Sequence, residues 1–231
     1  MTGRASAALQ KLQRHGLLDF AVTGSVAMQL QLGATSHVPL KRRLNDLDIV
    51  VNSLSAIPSS MANDYLIAHI HPKAPAGKTL LQLVDPALPL RIDVFRACGA
   101  TLDRSRPACL TFGMVRVVSI EDQAARAARI LMNLEADQTV SRKHARDFLR
   151  LSMAVDADLI ERAWREHREE SMPATFHEAA RRIHKLLESR PHLLITPQYS
   201  QDVEAVCPRC EDTAAFQRAA PRTIHSILGY C

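Results

Sequence analysis

The sequence predicts an α/β (α+β) chain in which a mixed sheet flanked by helices is followed by a helical C-terminal region. Two observations carry that expectation. Between residues 20 and 118, short runs with aliphatic residues at every second position alternate with turns bearing Gly, Pro and Asp, the mark of half-buried strands joined by tight connections. From Ser119 onward the apolar spacing changes to three and four, as in Ala124, Ala127, Ala128, Leu131 and Leu134, which is the period of a helix. Strands that follow one another through turns, without a helix between each pair, indicate an antiparallel or mixed sheet and not a doubly wound parallel one. The expected division is a sheet-bearing core over 1–118, a helical region over 119–190 and a tail over 191–231.

In chain order, residues 6–16 set Leu9, Leu12, Leu17 and Leu18 among Lys11, Arg14 and His15, an amphipathic helix that ends at Gly16 and covers the sheet. Residues 20–23 form the first strand. Gly24-Ser25 then opens a second helix with Val26, Ala27, Leu30 and Leu32 inward and Gly33 near its end. The polar loop 35–43 contains Pro39 and brings Lys41, Arg42 and Arg43 to the strand 46–51. A turn-rich stretch with a short helix leads to the strand 65–71, on which His69 and His71 share a face. These histidines could ligate a metal or simply face solvent. Strands 79–84 and 90–95 are divided by Asp85-Pro86 and Pro89. Residues 99–107 read as polar and irregular, and 111–118 as one further strand. Ser119, with Asp122 three positions on, reads as the cap of the next helix. Residues 159–167 and 176–187 are amphipathic helices separated by Ser171-Met-Pro173, with Trp164 in the core.

The chain has 231 residues, of which 47% are hydrophobic, enough for one generous domain or two small ones. No run reaches the ~18 uninterrupted apolar residues of a membrane span, and the first six residues lack the apolar core of a secretory leader. Five cysteines at scattered spacings do not make a disulfide framework and suit a reducing compartment. A cytoplasmic protein without a membrane partner is therefore expected. The net charge of +5 and pI near 9.1 lean toward an anionic partner, nucleic acid among them.

The stretch from Phe20 to Val51 carries the chemistry. A short apolar run that stops at Gly24-Ser25 and continues as a helix turns its backbone amides outward, and small residues at 24, 25 and 27 let a phosphate approach them. The same strand-turn-helix can also serve geometry alone. Downstream, Asp46 and Asp48 alternate with Leu47 and Ile49, so both acids share one strand face and both aliphatics the other. Two like charges side by side repel unless a cation sits between them. Asp93 stands between Ile92 and Val94 in a similar strand; if the two strands are neighbours, three carboxylates converge. Such an oxygen-rich cluster suits Mg2+ or Mn2+, which keep waters and take substrate phosphates as further ligands.

Gly24-Ser25, then Asp46-x-Asp48, then Asp93 resembles the signature of the nucleotidyltransferase superfamily related to DNA polymerase beta. Within it, the spacing is similar to that of bacterial abortive-infection toxins and aminoglycoside nucleotidyltransferases. The resemblance implies a nucleotidyltransferase-type fold, with the catalytic core over 1–118 and the helices of 119–190 completing a nucleotide and acceptor cleft. It implies Mg2+-dependent transfer of a nucleoside monophosphate from an NTP, such as ATP, to an acceptor hydroxyl. Asp46, Asp48 and Asp93 would be the metal ligands and catalytic acids, and Asp93 would accept the hydroxyl proton. It further implies cofactor contacts at Gly24, Ser25 and Arg42, at Arg126 or Arg129 where relatives often place a lysine, and at Lys143, with Asp147 orienting it; Lys41, Arg42 and Arg43 could instead form a solvated turn or counter-charges for the acids, and Arg126 and Arg129 a solvated surface. Lys143 and Asp147, four residues apart, could instead pair on a helix surface.

The acceptor implied is RNA, a tRNA end in particular, or a small molecule, and the toxin-like relatives admit an antitoxin partner. Two departures, Leu44 where relatives often carry a small hydroxyl residue and the missing lysine after Ser119, keep a second class open: a catalytically silent nucleotide- or RNA-binding module. In the tail, Cys207-Pro-Arg-Cys210 is half a structural Zn2+ site, for which His192, His225 or Cys231 could supply the remainder, or else two ordinary thiols.

Overall fold

The computed structural model describes residues 3–32, 46–88, 90–133 and 143–194. The expectations for Arg42, Leu44, Cys207 and Cys210 lie outside the described residues. The chain divides into two compact units between Val118 and Ser119.

The first unit carries α1 (Gly3–Arg14), β1 (Ala21–Val22), α2 (Gly24–Leu32), β2 (Asp46–Val51), β3 (Leu66–Ile70), β4 (Thr79–Asp85), β5 (Leu90–Arg96), β6 (Arg106–Leu110) and β7 (Gly113–Val117). The strands form one seven-stranded sheet in the order β3-β4-β5-β2-β1-β7-β6. It is mixed, as expected. β2 runs parallel to β5 and β1 parallel to β7, while the remaining pairs are antiparallel.

Strand periodicity sorts the side chains of the central strands onto two faces. Leu47, Ile49 and Val51 of β2 and Leu90, Ile92 and Val94 of β5 are buried in one core with Ala5, Ala8, Leu9 and Leu12 of α1 and Val26 and Ala27 of α2. Each large aliphatic side chain removed from water there contributes about 2 kcal/mol. The alternate residues, Asp46, Asp48 and Val50 on β2 and Arg91, Asp93 and Phe95 on β5, face the other way, where Val50 packs with Ala21, Ala97, Leu102 and Val118. One face of the sheet is thus closed by helices, and the other is only partly apolar.

β6 departs from the sequence expectation, which left 99–107 irregular. Arg106–Leu110 pairs antiparallel with Gly113–Val117, so the expected single strand 111–118 is the second half of a hairpin. The reason is position. β6 is an edge strand with Arg106 and Pro107 exposed and only Ala108 and Leu110 partly buried against the core, too short an alternation to read in the sequence, and Pro107 is tolerated where a donor can be spared. β1 is likewise shorter than expected, two residues only.

The second unit carries α3 (Ile120–Met132), α4 (Lys143–Ser152), α5 (Ala157–His167) and α6 (Phe176–Ser189). Their ends are chemically marked. Ser119 Oγ accepts from Asp122 N, the Asp156 carboxylate accepts from Asp158 N and Leu159 N, and Thr175 Oγ1 accepts from Glu178 N. Trp164 is fully buried against Phe176, which in turn meets Phe148, and its indole N–H donates to Pro173 O at 2.9 Å. No helix among the described residues is long and apolar enough to cross a membrane.

Candidate active site

Strand register builds the site. Parallel pairing of β2 with β5 sets Asp46 beside Arg91 and Asp48 beside Asp93. Antiparallel pairing of β5 with β4 continues the second rung to Gln82, and β4 with β3 continues it to His69. Paired residues in a ladder direct their side chains to the same face, so one row crosses four strands: Asp48, Asp93, Gln82, His69. The aspartates are 45 residues apart in sequence, and it is the sheet order that makes them neighbours.

One carboxylate oxygen from each of Asp46, Asp48 and Asp93 lies within 4.8 Å of the others, and this is the single group of three or more potential metal ligands among the described residues. Asp93 is buried, while Asp46 and Asp48 are half-buried. Three hard oxygen donors of this kind, partly open to solvent, fit Mg2+ or Mn2+ in chemistry: oxygen-only ligation, high negative charge, and room for waters. They do not fit zinc, which favours nitrogen and sulfur.

Arg91, a residue the sequence reading passed over, sits within this cluster. Its Nη2 donates to Asp46 Oδ2 at 3.1 Å, and its Nε lies 3.1 Å from Asp93 Oδ1. Two signals in the sequence point to it: a residue two before Asp93 on a strand must share its face, and a lone arginine amid Leu90, Ile92 and Val94 needs an acidic partner.

Gly24 abuts the aspartates through β2. It adopts φ +64°, the left-handed region, and a Cβ built on it would fall 2.0 Å from Asp48 Oδ2. Glycine is required there twice, for backbone conformation and for the space that the Asp48 carboxylate fills. Thr23 N donates to Asp48 O at 2.9 Å, tying the end of β1 to the acidic strand. Gly24 and Ser25 then begin α2, so the positive end of a helix and the carboxylate of Asp48 share one small region. That arrangement favours a cation bridging the acid and an anion held by the amides.

The other expected site residues lie in the second unit. Arg126 is half-buried on α3, and Lys143 is the first residue of α4. Arg129, the alternative to Arg126, is buried, and its Nη1 approaches His167 O at 3.5 Å, so it is not a solvated surface cation. α3 also carries a buried pair in which His167 Nε2 meets Asp122 Oδ1 at 3.0 Å, while Ser119 Oγ donates to Asp122 Oδ2 at 2.7 Å. Every member of that group is held by another, which marks it as a brace between α3 and α5.

His69 and His71 stack with ring centroids 6.4 Å apart and planes inclined by 25°. Among the described residues no third His, Cys or carboxylate joins them as a ligand set. Burial and then the neighbouring His71 charge push the His69 imidazole below the usual histidine range.

No protein-family model matches the chain, and no curated protein matches it either. Solved structures do. The chain is similar to the antibiotic-resistance factor ANT(2'')-Ia in solution, at 14% identity and TM-score 0.45 over 82% of this chain and 94% of that one. It is similar to an antigenic nucleotidyltransferase-like protein from Paracoccidioides brasiliensis, at 17% identity and TM-score 0.44 over 82% of this chain and 88% of that one. It is also similar to ANT(2")-Ia in complex with adenylyl-2"-tobramycin, at 13% identity and TM-score 0.45 over 70% of this chain and 95% of that one.

Proposed function

We propose that the protein is a divalent-metal-dependent nucleotidyltransferase that moves a nucleoside monophosphate from an NTP to an acceptor hydroxyl. The observation that carries this reading is the meeting of Asp46, Asp48 and Asp93 beside the Gly24 turn. Asp46, Asp48 and Asp93 would hold Mg2+ or Mn2+, which when bound supplies positive charge to the triphosphate and makes a coordinated hydroxyl more acidic. The backbone amides at Gly24 and Ser25 bind phosphate oxygens at the start of α2. Asp93 accepts the proton of the acceptor hydroxyl. The hydroxyl oxygen forms a bond to the α-phosphorus, the bond from that phosphorus to the bridging oxygen of the β-phosphate breaks, and pyrophosphate leaves with the electron pair. Burial on the polar face of the sheet, beside Asp48 and Arg91, holds the Asp93 carboxylate in place for that transfer.

Arg42, Arg126 and Lys143 enter as proposed phosphate contacts on the family resemblance, and alanine at each should raise KM for the NTP more than it lowers kcat. The basic balance of the chain favours RNA over a small molecule as acceptor, and growth arrest on expression, relieved by a co-expressed partner, would support an antitoxin-controlled role. A cytoplasmic location, with its supply of NTP and magnesium, suits this reaction.

The test is label transfer. The protein is incubated with each α-labelled NTP, Mg2+ or Mn2+, and either total RNA or a metabolite pool, beside an Asp46→Asn/Asp48→Asn control. Label moved to RNA or to a small molecule by the wild type and not by the control supports the reading and names the acceptor class. NTP binding without transfer in any arm would replace it with a nucleotide-binding module that lacks catalysis.

A further inference from the structure

The aspartate cluster already contains a cation of its own. Arg91 reaches Asp46 through Nη2 and Asp93 through Nε, both at 3.1 Å, from the rung directly beside Asp46. Its side chain is 30% exposed, against 22% for Asp46 and 8% for Asp93. A guanidinium is never deprotonated at accessible pH, so its hold on these oxygens can be relieved by movement only. A divalent ion held by Asp46 and Asp93 would need the carboxylate oxygens beside which the guanidinium now lies, Asp46 Oδ2 in a hydrogen bond and Asp93 Oδ1 at ion-pair distance.

We propose that Arg91 is a resident counter-cation that competes with the divalent ion for Asp46 and Asp93, so that metal binds only as the guanidinium leaves. The inference rests on the metal-site reading above and adds a regulator to it. Without metal, Arg91 offsets repulsion among carboxylates crowded onto two adjacent strands. With metal, the side chain is released at the half-exposed mouth of the cluster. The competing role for Arg91 is to orient the two carboxylates and stay in place as the metal arrives. The two roles predict opposite signs for its removal.

The experiment reads metal binding in the absence of nucleotide, on the full chain. Mn2+ is titrated into wild type, Arg91→Gln and Arg91→Lys, followed by electron paramagnetic resonance of the free ion, with Asp48→Asn as the loss control. Arg91→Gln should bind Mn2+ about two- to fivefold more tightly than wild type, the order expected when a partly exposed ion pair no longer has to be displaced. Equal or weaker binding by Arg91→Gln, with wild type binding normally, would overturn the competition and leave the metal site standing. No Mn2+ bound by any of the proteins at millimolar concentration would overturn the metal-site reading itself.

If Arg91→Gln loses its circular dichroism spectrum, the wild type still decides. The Arg91 Nε–Hε cross-peak, assigned by its loss in Arg91→Lys, should shift during a Mg2+ titration with the same half-point as the aspartate carboxyl signals. A cross-peak that stays fixed while those carboxyl signals move would overturn the proposal.

Discussion

Two carboxylate–cation groups stand on opposite faces of the same sheet, and they are built to different standards. On the helix-covered face, Asp85 is fully buried at the end of β4, and its carboxylate receives Lys11 Nζ at 3.0 Å, Ala87 N at 2.9 Å and Leu88 N at 3.3 Å. Lys11 also lies 4.6 Å from the centre of the Tyr65 ring. One acid there has one cation and two backbone donors. On the other face, Asp46 and Asp93 share Arg91, and Asp48 crowds against Asp93 on the next rung. The first group is closed, with its charge matched. Among the described residues, the second sets three carboxylates beside one guanidinium and stays half-open at Asp46 and Asp48, the feature on which the proposed metal site rests. The difference separates a buried pair that braces the fold from a half-open cluster whose proposed role is chemical.

The largest expected effect breaks the open group. Asp48→Asn should lower nucleotidyl transfer by about three orders of magnitude, because several kcal/mol of charge stabilisation is lost with the metal. It should change the melting temperature less than Lys11→Met does, because an isosteric side chain keeps its place and one negative charge beside Asp93 is removed. An equal fall in melting temperature would erase the distinction between the two faces. The next effect breaks the closed group. Lys11→Met leaves the Asp85 carboxylate buried without its cation and should cost about 3 kcal/mol in urea unfolding, while transfer activity per folded molecule stays at the wild-type level. Loss of activity without loss of stability would show that the closed group serves the site.

Much of this contrast could be read in the chain, and particular residues show where reading stops. Asp46-x-Asp48 between aliphatics states its own face, because strand periodicity is local. That Asp93 would meet it is not local: residues 46–51 and 90–96 are paired through β2 and β5 only because the intervening β3 and β4 stack outward from β5. Arg91 was in view between Leu90 and Ile92, yet its importance depends on the register that sets it beside Asp46. Gly24 was recognised as a turn residue, but nothing in a linear chain tells that the Asp48 carboxylate occupies the space of its missing Cβ. β6 escaped for a different reason, since its inward face is two partly buried residues, Ala108 and Leu110, preceded by exposed Arg106 and Pro107. The helix cap at Ser119, by contrast, is a bond three residues long and is read directly in the sequence, while the equally local caps at Asp156 and Thr175 are seen in the structure alone.

The contact between Gly24 and Asp48 gives a sharper, smaller test. Gly24→Ala should cost about 2 kcal/mol in urea unfolding, roughly half from the left-handed backbone and half from pushing the Asp48 carboxylate away. In an Asp48→Ala background the same substitution should cost about 1 kcal/mol, since the carboxylate clash is gone and what remains is backbone strain with a tight 3.1 Å approach to the Cβ of residue 48. Equal costs in both backgrounds would mean that the carboxylate yields freely and that Gly24 is there for its φ angle only.

The smallest expected effect concerns the outer end of the acidic row, where His69 stands on the same rung as Asp93, two strands away. Burial first, and the charge of His71 second, lower its pKa in the folded protein below the ordinary value of 6.5. The unfolded chain therefore takes up a proton before the folded one does, and the linkage sign follows: stability from this group is complete above pH 6.5 and declines as pH falls toward the folded value. His69→Gln should flatten the fall in melting temperature on the acid side of pH 6.5 and leave the profile above it parallel to wild type. His71→Gln should have a partial effect of the same sign, because it removes the lesser cause and keeps the burial. An unaltered acid slope in His69→Gln would show that this imidazole does not set the acid sensitivity.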